Sequence, residues 1–260
     1  MNPSQNEISE FLAFSNALTL SAQENNDVLG LVLVGSTAET FRADQWSDHD
    51  FFLIVKLGHG EQFRKDLSWL PEFKAIAFSP RETDHGLKVV YTNGRILEFA
   101  VFEDTELELA SVNSWAVPVD KTNIVDRVKK IQARTNPRIF TLEEEWSLFL
   151  STILIAIGRA RRGELLIAGQ GIRTRAMNGA IGMLRAAREP AADTARYEDN
   201  LDRFRRVEVQ YPEEAKLLNE ISEMPVEAGA QALMDFVIML GLLDERQLSW
   251  AEVVRARFHW

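Results

Sequence analysis

Val32-Leu33-Val34-Gly35-Ser36-Thr37-Ala38 is followed, after a polar loop, by Ser47-Asp48-His49-Asp50-Phe51-Phe52-Leu53-Ile54-Val55. The first apolar run ends in Gly-Ser. The second opens on two aspartates separated by a single residue. In a strand, residues i and i+2 project to the same side, so Asp48 and Asp50 are expected to present two carboxylates on one face. Like charges that close repel, and a divalent cation is the usual way to hold them. The Gly-Ser turn offers backbone N–H groups with no side chain in the way, which suits a phosphate. If the two strands are neighbours, the pattern describes a site for magnesium and a nucleotide. His49 lies between the aspartates and points to the opposite face. It reads as a structural residue, not as a catalytic base.

A third acid fits the same pattern. Arg95-Ile96-Leu97-Glu98-Phe99-Ala100-Val101-Phe102 reads as a strand carrying one carboxylate among apolar residues. It follows Tyr91-Thr92-Asn93-Gly94, and Asn-Gly is a strong hairpin-turn signal. A carboxylate in such a strand is costly to bury unpaired, so Glu98 is expected to face a cation or water.

Gly35-Ser36 followed by Asp48-x-Asp50, the first aspartate twelve positions after the serine, resembles the signature of the polymerase-beta-like nucleotidyltransferase superfamily. The resemblance implies that Gly35 and Ser36 grip a triphosphate and that Asp48 and Asp50 hold Mg2+. It also implies a later-strand carboxylate that completes the metal site or acts as base. Glu98 occupies that place, where the family often has Asp.

Composition narrows the class. The chain has 260 residues, 46% hydrophobic and 26% charged, which is ordinary for a globular protein. It has no cysteine, which excludes disulfides and thiolate chemistry. A formal net charge of −10 argues against a nucleic-acid partner, which requires a basic face. The same charge is compatible with a cationic small acceptor. The N-terminal residues lack the basic-then-apolar pattern of a secretory signal. The apolar run 148–157 is too short to span a bilayer and reads as a buried helix. The expectation is a cytoplasmic protein with no membrane partner; a homodimer is compatible with the sequence, which does not set the oligomeric state.

The organisation along the chain is two-part. A helix is expected over 7–23 and strands over 28–34 and 48–55. Residues 37–46 read as loop with a turn of helix, and 61–69 as a short helix stopped by Pro71. A third strand follows at 74–78, then a hairpin of 87–91 with 95–102 and a helical turn at 106–110. A last strand at 116–119 leads into a helix over 123–133. This order suits a small mixed sheet with helices on one face. Thr135-Asn136-Pro137-Arg138 reads as a linker, and beyond it the strand signals stop. Thr141 and Glu144 are spaced as a capping box for a helix running to Arg162 and ending at Gly163. Further helices are expected over 164–188, 195–207, 213–223 and 227–243, with breaks at Pro190, Pro212 and Pro225. The fold class is therefore α+β: a nucleotidyltransferase-type domain over 1–135, then an all-α helical bundle over 136–260. That combination resembles the lincosamide and aminoglycoside nucleotidyltransferases, in which the helical half supplies part of the acceptor pocket. In the second half the resemblance rests on helix content and on Arg159-Ala160-Arg161-Arg162-Gly163-Glu164-Leu165.

The implied chemistry is transfer of a nucleoside monophosphate to a hydroxyl with release of pyrophosphate. AMP from ATP is the first expectation, another nucleoside triphosphate the alternative. The acceptor is a small hydroxylated molecule, with an antibiotic as the implied type. Asp48, Asp50 and Glu98 are the candidate catalytic and metal-binding residues. Gly35, Ser36 and Arg42 are the candidates for the nucleotide, Arg42 because it lies in the loop between the two motifs. Glu98 is either a ligand to a second metal or the base that takes the acceptor's proton. Glu143, Glu144 and Glu145 read first as a helix N-terminus that favours the dipole, and Arg159, Arg161 and Arg162 as a basic helix end. Lys88 is within reach of a nucleotide from its strand, with nothing in the sequence to single it out. Trp46, Trp69, Trp115 and Trp146 read as core or interface anchors; Trp46, beside Asp48, is the one placed for base or acceptor contact. Two other readings stand beside the first: an enzyme that nucleotidylates a protein, as toxin–antitoxin nucleotidyltransferases do, and a non-catalytic scaffold of the same fold.

Overall fold

The run Val28–Val34 forms a buried strand, β1, preceded by the amphipathic helix α1 (Gln5–Glu24). After the four-residue helix α2 (Gly35–Ala38) and a 3-10 turn at Thr40–Arg42, the strand β2 (His49–Val55) returns antiparallel to β1. The short helix α3 (Gly60–Lys65) leads to β3 (Ile76–Phe78), β4 (Gly86–Tyr91), β5 (Ile96–Glu103) and β6 (Trp115–Asp120). These six strands make one mixed sheet in the order β3-β4-β5-β2-β1-β6. The one parallel pairing among the described residues is β2 with β5, and it lies at the centre. The helix α4 (Ile124–Arg134) follows β6. The structure is a computed structural model and describes residues 5–44, 46–135, 139–199 and 201–260. The chain divides into two compact units, Met1–Asn136 and Pro137–Trp260. Asn136, Pro137 and Arg138 of the expected linker, and the polar N-terminal residues 1–4, lie outside the described residues.

Both faces of the sheet are covered, where the sequence led us to expect helices on one. Phe51, Leu53 and Val55 of β2 and Leu31 and Leu33 of β1 share a core with Phe14, Leu18 and Ala22 of α1. The intervening Ile54 and Val32 pack on the other side with Phe102 and with Ile124, Val128 and Ile131 of α4. The physical reason is visible in β1 and β2 themselves. Each is apolar at consecutive positions, the pattern of a strand buried on both faces. Gly30 belongs to this contact: a Cβ there would come within 2.7 Å of Ile124 Cγ1, so α4 lies on the sheet only because the position is bare.

The face covered by α4 changes character along the strands. It is buried at Ile54 and Phe102, half-buried at Phe52 and Ala100, and carries Asp50 and Glu98 at its open end. The Asn93-Gly94 hairpin forms as expected, with the Gly94 amide donating to Tyr91 O at 2.9 Å. The helix expected over 61–69 stops at Lys65. The Asp66 carboxylate accepts the Ser68 amide at 3.0 Å and turns the chain, and Trp69 packs edge-on against Phe51 and Phe99.

The second unit has no strand among its described residues and is mostly helical: α5 (Leu142–Arg161), α6 (Leu165–Gln170), α7 (Met177–Ala187), α8 (Val207–Gln210), α9 (Pro212–Glu223), α10 (Val226–Met239) and α11 (Glu245–Phe258). Trp146 is its most enclosed large side chain and ties α5 to α11 by donating Nε1–H to Gln247 O at 2.9 Å. The Thr141–Glu144 capping box is present. Two expectations need correction. The helix over 164–188 is interrupted by a π-helical turn at Gly171–Ala176. No long helix forms over 195–207. Asp199 there accepts the amides of Leu201 and Asp202 at 2.9 and 3.3 Å, and Asp202 accepts that of Phe204 at 2.9 Å. Such side-chain bonds compete with the helical ladder. Pro212 stands at the expected break between helices and starts α9, at a position where its missing N–H costs nothing. The last helix, α11, was not anticipated, although Asp244 and Gln247 form its capping box. No helix among the described residues is long and apolar enough to cross a membrane.

Candidate functional site

The three acids that the sequence singles out come together. Asp48, Asp50 and Glu98 each offer one carboxylate oxygen, and these oxygens all lie within 4.8 Å of one another. The parallel pairing of β2 and β5 is the cause: it places Asp50 directly opposite Glu98 in register. Asp48 stands just before β2 and joins them through the turn of the chain.

Thr37, which the sequence reading passed over, fixes that turn. It is buried on α2, accepts the Asp50 amide at 2.8 Å and donates to Asp48 O at 3.4 Å. One hydroxyl therefore holds the backbone of both aspartates against the helix that follows Gly35-Ser36. The available signal was the threonine's place immediately after Gly-Ser, in a stretch where a short polar side chain can bond to nearby backbone.

Gly35 has a specific role. Its φ is +57°, in the left-handed region, and a Cβ there would stand 3.1 Å from Asp50 Oδ2. Its amide donates to Ser114 O at 3.0 Å. That N–H is already used inside the protein, so Gly35 serves the site by its shape. That N–H is therefore not the free phosphate donor expected at Gly35. Ser36 lies on α2 and is half-buried beside this turn.

Arg42 is not a solvated loop residue. Its side chain is 5% exposed and pairs with Glu39. Its Nη2 lies 3.5 Å from the Ser114 hydroxyl. Arg42 and Gly35 thus meet the same residue, Ser114, at the start of β6.

His49 points away from the carboxylates, as its position requires. It is buried, stacked on Phe11 with ring centroids 4.0 Å apart, and its Nε2 sits 3.2 Å from Phe11 O. Burial lowers its pKa to about 4; the Phe11 carbonyl opposes this and Arg95 adds to it. The ring is neutral near pH 7 and takes no part in the acid cluster.

Lys88 emerges as a site residue. On β4 it is the register partner of Glu98, and its Nζ lies 3.5 Å from Glu98 Oε2 and 2.9 Å from Glu82 Oε1. The Glu82 hydrogen bond and the Glu98 charge hold its pKa above the usual lysine value.

Other candidates are used elsewhere. Glu144 closes the α5 capping box, Glu145 pairs with Arg203, and Glu143 pairs with Arg246 at 2.5 Å. Arg161 pairs with Glu227 and donates to Phe258 O at 2.8 Å; Arg162 pairs with Glu164 at 2.9 Å. These are ties within the helical unit. Trp46 is 85% exposed, unlike the buried Trp146.

The donor set suits a hard cation. Three carboxylates supply oxygen only, the ligand type that Mg2+ takes at about 2.1 Å, so that neighbouring ligand oxygens stand about 3 Å apart. Oxygens that lie within 4.8 Å of one another must draw closer to share one ion, a movement within reach of side-chain rotation. Soft or imidazole-preferring metals find no matching ligand here, because His49 faces away.

No family model matches the chain, and no curated protein matches it. Among solved structures it is similar to an aminoglycoside 6-adenyltransferase from Bacillus subtilis, at 12% identity and a TM-score of 0.37, over 94% of this chain and 97% of that one. It is also similar to a nucleotidyltransferase-like protein from Exiguobacterium sibiricum 255-15, at 11% identity and a TM-score of 0.34, over 88% of this chain and 73% of that one. A third similar structure is the CdnC:HORMA-deltaN complex of E. coli MS115-1, at 13% identity and a TM-score of 0.35, over 97% of this chain and 92% of that one.

Proposed function

We propose that the chain is a metal-dependent nucleotidyltransferase of the polymerase-beta-like class. On this reading it transfers a nucleoside monophosphate, AMP from ATP, to a hydroxyl of a small acceptor and releases pyrophosphate. The observation that carries the reading is the meeting of Asp48, Asp50 and Glu98 within 4.8 Å beside the Gly35–Ala38 turn. The acids come from two separate stretches of sequence, Asp48 and Asp50 from one and Glu98 from the other, and converge at the open end of one sheet face.

Bound Mg2+ would offset charge on the phosphates and on the leaving pyrophosphate. Asp48 and Asp50 hold it, with Thr37 fixing their backbones. Glu98 completes the ligand set from the neighbouring strand. Ser36 directs the phosphates from the start of α2, and Gly35 keeps the space beside Asp50 Oδ2 clear. Arg42 acts on the nucleotide through the turn it braces, since its guanidinium is turned onto Glu39 and Ser114. The chain's formal charge of −10 favours a cationic acceptor, with aminoglycoside-like polyols as the class to test.

The test is pyrophosphate release from each nucleoside triphosphate with Mg2+, against a panel of small hydroxylated cations and a panel of proteins. Release with the small molecules alone supports the reading. Release with proteins alone moves the function to protein nucleotidylation, and release with neither, by a folded protein, removes the catalytic claim.

A further inference from the structure

Lys88, Glu98 and Asp50 form a row across three adjacent strands. Lys88 of β4 is in register with Glu98 of β5, and Glu98 is in register with Asp50 of β2. Residues in register on neighbouring strands project to the same face about 5 Å apart. The lysine therefore belongs to the same surface as the metal-binding acids. Its ammonium is shared between Glu98, at 3.5 Å, and Glu82, at 2.9 Å.

Two physical consequences follow from this row. A cation entering the acid cluster weakens the ammonium's hold on Glu98, because both positive charges draw on one carboxylate and repel each other. Once that contact is given up, Lys88 stands beside the cluster with its charge directed at whatever the bound cation carries. A triphosphate carried there brings several negative charges to within a lysine's reach, and a flexible ammonium is a common phosphate partner.

We propose that Lys88 is a nucleotide-binding residue of this site, held by Glu98 and Glu82 until metal and triphosphate enter, when it exchanges Glu98 for the phosphates. The proposal rests on the nucleotidyltransferase reading above. It gives Lys88 opposite effects on the two ligands: it weakens binding of the metal alone and strengthens binding of the metal–nucleotide complex.

The experiment is calorimetric titration of the full chain with Mn2+ alone, and separately with ATP at saturating Mg2+, for wild type, Lys88→Met, Lys88→Arg and Glu82→Gln. Exposed ion pairs are typically worth up to about 1 kcal/mol, a factor of about five in affinity. Lys88→Met is expected to bind Mn2+ about two- to fivefold more tightly and MgATP about two- to fivefold more weakly. Lys88→Arg, which keeps the charge, is expected to restore nucleotide binding. Glu82→Gln frees the ammonium for Glu98 and is expected to weaken Mn2+ binding; it serves also if Lys88→Met does not fold. Unchanged affinities in Lys88→Met, or a loss of both together, overturn the assignment of Lys88. Failure of wild type to bind Mn2+ at all overturns the nucleotidyltransferase reading, and this assignment with it.

Discussion

Asp50 and Glu98 are register partners across the parallel pair β2–β5, although 48 positions separate them in the chain. With Asp48 they place three negative charges within a few ångströms. On the proposed reading Glu98 is a metal ligand, placed beside Asp50 by that register. Glu98→Gln is expected to weaken Mn2+ binding about tenfold, the effect of losing one charged ligand, and to lower turnover in proportion. Calorimetry on the folded variant checks this. Unchanged metal affinity with turnover lost would make Glu98 the base instead.

Gly35 is the position where backbone shape and site chemistry coincide. Its φ of +57° strains any side chain, and a Cβ there would stand 3.1 Å from Asp50 Oδ2 and push on that carboxylate. Gly35→Ala is expected to cost about 1–2 kcal/mol of stability from the left-handed conformation alone. It should also weaken metal binding, because the methyl group displaces the Asp50 carboxylate. Urea unfolding paired with Mn2+ titration separates the two effects. A variant as stable and as tight as wild type contradicts the role given to this glycine.

His49 supplies a pH signature for the first unit. Its folded pKa of about 4 lies below the unfolded value of 6.5, so the unfolded chain binds more protons between those limits. The stability it contributes is fully present above pH 6.5 and is lost as pH falls towards 4. The size is up to about 3 kcal/mol. His49→Phe keeps the stack on Phe11 and removes the proton site, so its stability should fall less over this range. Urea unfolding of the metal-free protein from pH 7 to pH 4 compares the two slopes. Parallel slopes contradict a buried neutral His49.

The first unit was legible because its signals are local. Strand β1 has the bounds read from its apolar run, and the two aspartates stand where Gly-Ser and the second run place them. The contact of Asp50 with Glu98 depends on the parallel pairing of β2 with β5, which periodicity does not reveal. Lys88 is within reach of a nucleotide on the sequence alone but is not singled out by it, for the same reason: its partner is decided by register. The α4 layer on the second face was implicit in the unbroken apolar runs of β1 and β2, the pattern of strands buried on both faces. In the helical unit, residues 195–207 have helical spacing, but Asp199 and Asp202 bind nearby amides and divert the backbone. The capping box at Asp244 was a readable signal for α11. Ser114, which accepts the Gly35 amide and meets Arg42, lies 79 positions beyond that glycine, and only the fold brings it there.

The most direct test of the central claim is a thermal-shift titration with ATP and the other nucleoside triphosphates, with and without Mg2+, on wild type and on the Asp48→Asn/Asp50→Asn double variant. A ligand that binds only the native state raises the melting temperature, by about 2.7 kcal/mol of stabilisation at one hundred times Kd. The account predicts a Mg2+-dependent shift in wild type and none in the double variant, which should stay folded. No shift with any triphosphate for folded wild type, or an equal shift in both proteins, would contradict it.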